Sequence, residues 1–143
     1  LRLENIYDKS FPACVDNMFQ VVSEVINNLE RSLIVYNGEG LFNIKVILNE
    51  LLVNAIRHGC KCDTNKVVDI KCFLREDGRL VIKIRDEGRG YDYFHILNQE
   101  ICDVFALDSN MKECGRGILI VKSLCEDLNF NKSGNEIEVV LKL

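Results

Sequence analysis

Leu48-Asn49-Glu50-Leu51-Leu52-Val53-Asn54-Ala55-Ile56-Arg57-His58-Gly59 is the stretch on which the rest of the chain turns. It reads as the C-terminal half of a helix. Glu50 and Asn54 are four residues apart and so share one face, a turn from each other. Arg57 and His58 continue that polar stripe. Ile47, Leu48, Leu51, Leu52, Val53, Ala55 and Ile56 make the other faces apolar, and a helix this apolar is mostly buried. A buried carboxylate and carboxamide need partners. Both are oxygen ligands, and magnesium takes one or two of these alongside water and phosphate oxygens. Gly59 is expected to close the helix as a left-handed cap. A stripe that merely faces solvent explains the same residues equally well at this point.

The chain has 143 residues, 48% hydrophobic and 28% charged, with a net charge of −4. This suits one domain, residues 1–143, with a packed core. No block of lysine or arginine stands out, which disfavours nucleic acid and anionic membrane as partners. No apolar run reaches the length of a membrane span, and no signal peptide is visible. The chain starts at Leu1 without a methionine, which leaves a missing neighbour open. Seven cysteines form no compact disulfide framework, so a reducing cytoplasm is expected. Cys60 and Cys62 make a C-x-C pair, but no second pair stands at zinc-site spacing. Cys72 and Cys125 fall in apolar patterns, as small core residues do.

Outward from the central helix, over about Leu41 to His58, the elements follow from periodicity. Leu1 to Tyr7 is a weak edge strand. Ala13 to Ser32 is helical, with Val15, Phe19, Val22, Val25, Ile26 and Leu29 on the apolar face. Asn37-Gly38-Glu39-Gly40 breaks it. Val67 to Arg75 and Arg79 to Asp86 are strands joined by an Asp77-Gly78 turn. Asp86 keeps the phase of Leu80, Ile82 and Ile84 and so points towards the core. Residues 87–114 show no clean period, with a short helix expected near Tyr93 to Cys102. Gly115-Arg116-Gly117 opens a helix over Ile118 to about Asp127. Leu128 to Asn131 and Glu136 to Leu143 are the last two strands. Hairpin-paired strands with helices for one face predict an α/β (α+β) two-layer sandwich on a mixed, mostly antiparallel sheet.

Three further features carry chemistry. Asp86 is an inward carboxylate that only accepts, so its partner must donate: a ligand amino group, a backbone N–H or an arginine. In Asp86-Glu87-Gly88-Arg89-Gly90 the two glycines permit a sharp turn or a close approach to a ligand. Gly115-Arg116-Gly117 before a helix is suited to phosphate, through free N–H groups, the positive dipole end and a guanidinium. It is not a Walker A loop.

In this order the motifs resemble the histidine-kinase-like ATPase superfamily of gyrase, Hsp90, histidine kinases and MutL. Glu50-x-x-x-Asn54-x-x-x-His58-Gly59 matches its asparagine box. Asp86-Glu87-Gly88-Arg89-Gly90 and Gly115-Arg116-Gly117-Ile118 match its two glycine boxes. Asn-Ala-Ile-Arg-His-Gly, Ile-Arg-Asp-Glu-Gly-Arg-Gly-Tyr-Asp and Gly-Arg-Gly-Ile-x-Ile-Val-Lys-Ser-Leu-Cys-Glu-Asp look like its anti-sigma-factor serine/threonine kinase branch.

The resemblance implies a Bergerat-type ATP-binding fold. It implies that Asn54 holds Mg²⁺ and Asp86 binds the adenine amine. Gly88 and Gly90 would line the nucleotide, Gly115, Arg116 and Gly117 would contact phosphates, and Glu50 would be the general base. His58 follows the family pattern beside Asn54. It further implies a homodimer that phosphorylates an anti-anti-sigma antagonist and silences a sigma factor. Two positions depart from the pattern. Gly134-Asn135 stands where the family has Gly-Thr near adenine, and the first helix has no arginine before Arg31. The alternative is a non-catalytic ATP-binding regulatory module or a fragment of a larger signalling protein. A sensor histidine kinase is disfavoured, since His58 and His95 are the only histidines.

Overall fold

A computed structural model describes residues 2–32, 38–88 and 112–143, with the backbone alone for 112–116. The strands are β1 (Leu3–Pro12), β2 (Val67–Arg75), β3 (Arg79–Asp86), β4 (Asp127–Phe130) and β5 (Glu136–Lys142). The α-helices are α1 (Met18–Arg31), α2 (Gly38–Val53) and α3 (Lys112–Leu124). A π-helical turn, Asn54–Gly59, extends α2. The five strands form one sheet in the order β1-β2-β3-β5-β4, and every pairing is antiparallel. The α+β sandwich expected from the hairpins is therefore present, with β3 at its centre.

Alternation decides which face is covered. Val68, Ile70 and Cys72 of β2, Leu80, Ile82 and Ile84 of β3, and Val139 and Leu141 of β5 are buried together with Leu29, Ile47, Leu48, Leu51 and Leu52 of the helices. Each such Leu or Ile contributes about 1.5–3 kcal/mol by leaving water. The opposite face carries Asp69, Lys71, Lys83, Arg85 and Glu136. Polar contacts fix α1 across β1. The Tyr7 hydroxyl donates to Glu24, Lys9 Nζ lies 3.3 Å from the same carboxylate, and Asn28 Nδ2 donates to the Ile6 carbonyl at 2.8 Å.

Several expectations need correction. β1 runs on to Pro12, because a register shift between Asn5 and Tyr7 interrupts its alternation and hides the second half. Val15 and Phe19 are exposed, Phe19 by 84%. The short 3₁₀ turn Val15–Asn17 leads into α1 and changes the phase on which their burial was read. Gly38 and Gly40 lie inside the first turn of α2 rather than in a break. The expected helix near Tyr93 to Cys102 lies outside the described residues.

Candidate functional site

β3 delivers a carboxylate to the edge of the core. Asp86 follows the inward phase of Ile82 and Ile84 and is 6% exposed. Gly88 N–H donates to its Oδ1 at 2.7 Å, and its own N–H donates to the Asn135 carbonyl at 2.9 Å, tying the end of β3 to the start of β5. Among the described residues Oδ2 receives no protein donor. Burial pushes the carboxyl above the usual carboxylate range, and the Gly88 N–H and the nearby Lys66 charge offset this only in part.

α2 brings the second group. Its last turn widens into the π-turn Asn54–Gly59, where Cys60 N–H reaches back to the Ala55 carbonyl at 2.9 Å. Such turns re-aim side chains and recur at functional sites. Asn54 is 3% exposed, and its Nδ2 is buried with no hydrogen-bond partner. A buried amide donor left unpaired costs about 1–3 kcal/mol, so the site is built for something that completes it. Glu50 stands one turn earlier and is half-buried. Within the π-turn Arg57 is exposed and His58 half-buried, so the stripe read at helical spacing stops at Asn54.

The glycines are small for reasons the spacing did not reveal. Gly59 is not a left-handed cap: the left-handed residues are Lys61 (φ 53°) and Cys62 (φ 57°). A Cβ on Gly59 would overlap the Asp86 carboxylate, and one on Gly88 would overlap the Gly59 carbonyl. A Cβ on Gly117 would lie 2.5 Å from Glu50 Oε2 and 3.5 Å from Asn54 Nδ2. Gly117 thus lets α3 close over the Glu50–Asn54 pair. Gly88→Ala presses a methyl group into backbone that cannot yield, so it should lower the unfolding free energy by about 1–3 kcal/mol. Gly38→Ala is the control, because nothing lies within 4 Å of its Cβ position. Urea midpoints that move equally in both variants would contradict this contact.

Asn54, Asp86 and Asn135 line one small cavity of about 10 Å³, walled by Leu51, Ile84 and Ile118. That volume is near the minimum for one water. A wider cleft of about 740 Å³ runs along β4 past Lys122 and Glu126 and meets the cavity at Phe130 and Gly134. The structure therefore brings together Glu50, Asn54, Asp86, Gly88, Gly117 and Asn135. Gly90 lies outside the described residues. Gly115 and Arg116 do not open the helix: α3 already begins at Lys112, since nothing in Lys112-Glu113-Cys114 breaks it. Two contributors were missed in the sequence, Gly59 against Asp86 and Asn131 beside Asn135. Only the turn-forming run Asn131-Lys132-Ser133-Gly134-Asn135 hinted at the second.

A sequence profile of the histidine kinase-like ATPase domain matches residues 11–141. The chain belongs to this family. An ATPase domain of this family binds ATP. Curated relatives of this histidine kinase-like ATPase domain are named anti-sigma F factor. That of Priestia megaterium is 31% identical over 88 residues, 62% of this chain and 58% of the relative. That of Clostridium perfringens (strain SM101 / Type A) is 25% identical over 105 residues, 73% of this chain and 72% of the relative. That of Shouchella clausii is 33% identical over 90 residues, 63% of this chain and 59% of the relative. The chain thus spans little more than half the length of two of these three. In fold the domain is similar to a chain of the SiaB–SiaC complex from Pseudomonas aeruginosa, with a TM-score of 0.70 at 13% identity, over 96% of this chain and 91% of that one. Among the described residues no helix of the domain is long and apolar enough to cross a membrane.

The donor set suits magnesium. Among the described residues no three His, Cys, Asp or Glu side chains converge as a metal cluster. Magnesium asks for no such cage, because it binds through one or two protein oxygens plus water and phosphates. The Asn54 carboxamide oxygen, one turn from the Glu50 carboxylate, offers that minimum, while its unpaired Nδ2 is a donor suited to an acceptor such as a phosphate oxygen.

Proposed function

We propose that this domain is an ATP-dependent serine/threonine protein kinase that acts as an anti-sigma factor. It phosphorylates an anti-anti-sigma antagonist, binds a sigma factor and works as a homodimer in the cytoplasm. The observation that carries the reading is the buried Asn54 Nδ2, a donor left without a partner near Glu50 and Gly117, which a phosphate oxygen would complete. The names of the curated relatives support the partner class.

The residues divide the work. Asp86 accepts a hydrogen bond from the adenine amine, and Asn135 lies beside it. Gly88 and Gly90 let backbone approach the nucleotide, with His58 supporting the Asn54 turn. Gly115, Arg116 and Gly117 meet phosphate oxygens. Asn54 holds Mg²⁺ through its carboxamide oxygen. Held there, Mg²⁺ would supply neutralisation of the phosphate charge. Glu50 takes the proton from the attacking serine hydroxyl as its oxygen bonds to the γ-phosphorus. The bond from that phosphorus to the β,γ-bridging oxygen breaks, and ADP leaves.

Asn54→Ala should lose the magnesium-dependent part of ATP binding, read by calorimetry with and without the ion. The fold should survive, because the variant removes a buried Nδ2 donor that had no partner. Equal ATP affinity in wild type and Asn54→Ala would overturn the assignment.

A further inference from the structure

We infer that Glu87 and Cys60 are positioning residues: together they hold open the last rung of the β2–β3 ladder, which keeps the Gly88 turn in the shape that receives the nucleotide. This rests on the reading of the Asp86 cavity as the ATP site.

The register of the hairpin shows where the ladder stops. β2 and β3 pair from Leu74↔Leu80 to Val68↔Asp86. One residue further, the same register would set Val67 against Glu87, backbone to backbone. Side chains take that place instead. Val67 N–H donates to Glu87 Oε1 at 2.8 Å. The Val67 carbonyl accepts the Cys60 thiol, with Sγ 3.8 Å away. The Glu87 N–H points at the same sulfur: burial pushes the Cys60 thiol up, and this N–H offsets part of the rise. Cys60 is fully buried. The N–H and C=O of Val67 and the N–H of Glu87 are thus all satisfied without the rung.

With the rung open, the chain can leave the sheet directly after Asp86. Gly88 N–H turns back to Asp86 Oδ1 at 2.7 Å, and Gly88 seats against the Gly59 carbonyl, where a Cβ would overlap. A closed rung would extend the backbone at Glu87 and draw Gly88 N–H off the Asp86 carboxylate. Any population of that closed form lowers nucleotide affinity in proportion, because only the open form is competent.

Four variants separate positioning from packing. Glu87→Ala removes the acceptor of Val67 N–H, and Glu87→Gln keeps one. Cys60→Ala removes both bonds of the thiol, and Cys60→Ser keeps a donor and an acceptor. ADP binding would be measured by calorimetry, with thermal melts and amide hydrogen exchange at Gly88 alongside.

ADP affinity should fall about fivefold in Glu87→Ala and in Cys60→Ala, the size of one hydrogen bond, and return to within about twofold of wild type in Glu87→Gln and Cys60→Ser. Exchange at Gly88 should speed up in the two alanine variants, while that of Gly78, bonded to the Arg75 carbonyl at the other end of the hairpin, stays as it was. Lower melting temperatures with unchanged affinity and unchanged Gly88 exchange would make both residues merely structural and overturn the proposal, leaving the nucleotide site standing. An equal loss in the alanine and the conservative variants would overturn it too. No ADP binding by the wild type would overturn the ATP-site reading and this proposal with it. Should Cys60→Ala fail to fold, the Glu87 pair carries the same test, because Glu87 is exposed.

Discussion

Glu50→Gln should leave nucleotide binding within a few-fold of wild type and lower phosphoryl transfer by about 10²–10⁴, the usual worth of a positioned general base. The substitution keeps the shape and the length of the side chain. It keeps an oxygen near Gly117, whose Cβ position lies 2.5 Å from Glu50 Oε2. Only proton acceptance is lost. The assay is transfer of labelled γ-phosphate to a serine of the antagonist, run beside calorimetry. Full transfer in Glu50→Gln would remove Glu50 as the base. If wild type binds ATP yet transfers nothing to any candidate antagonist, the domain is the non-catalytic binding module.

Asp86→Asn is expected to act in opposite directions on binding and on stability. A hydrogen bond to a charged group contributes about 1.5–3 kcal/mol, so ATP affinity should fall by roughly 10–150-fold. The folded protein should become more stable, because an ionised carboxylate is no longer held out of water. Burial raises the folded carboxyl above its ordinary value, so the native state holds its proton longer than the unfolded chain does. Its stabilising effect is therefore complete below the ordinary carboxylate range and is lost as pH rises through the folded value. The stability difference between Asp86→Asn and wild type should grow with pH across that window and then level off. Asp77 and Glu24 are shifted the other way, so only this difference isolates Asp86. A variant that melts lower than wild type at neutral pH would contradict the account.

What could be read in advance was what repeats along the chain. The inward phase of Asp86 follows from Leu80, Ile82 and Ile84, because a strand has a period of two and no contact is needed to see it. The Glu50–Asn54 pair follows from helical spacing in the same way. The register at Arg79↔Lys142 could not be read, whereas the Asp77-Gly78 turn fixed Val68↔Asp86 in the first hairpin. Gly59 was misassigned because a glycine after a helix is most often a cap. Its actual constraint is a side chain 27 residues away in sequence, which no local pattern records. The π-turn was hidden too: one extra residue in a helical turn changes nothing in composition. Asn135 stood out only as a departure from threonine, and its partner Asn131 needed the folded turn to become visible.

The strand order has a consequence for how the protein is made. β3, which carries Asp86, gains its second neighbour only when β5 pairs with it, and β5 is the last strand of the chain. A ribosome-bound chain that has emerged through β3 holds a hairpin with one bare, apolar edge, Leu80 to Ile84. That edge stays open until residues 136–142 have emerged. Exposed edges of this kind recruit other strands. The carbonyl of Asn135 that receives the Asp86 N–H arrives in the same last segment. Ligand therefore cannot brace the chain at this stage, because the Asn135 side of the cavity has not yet been made. Protection during that interval has to come from outside the molecule.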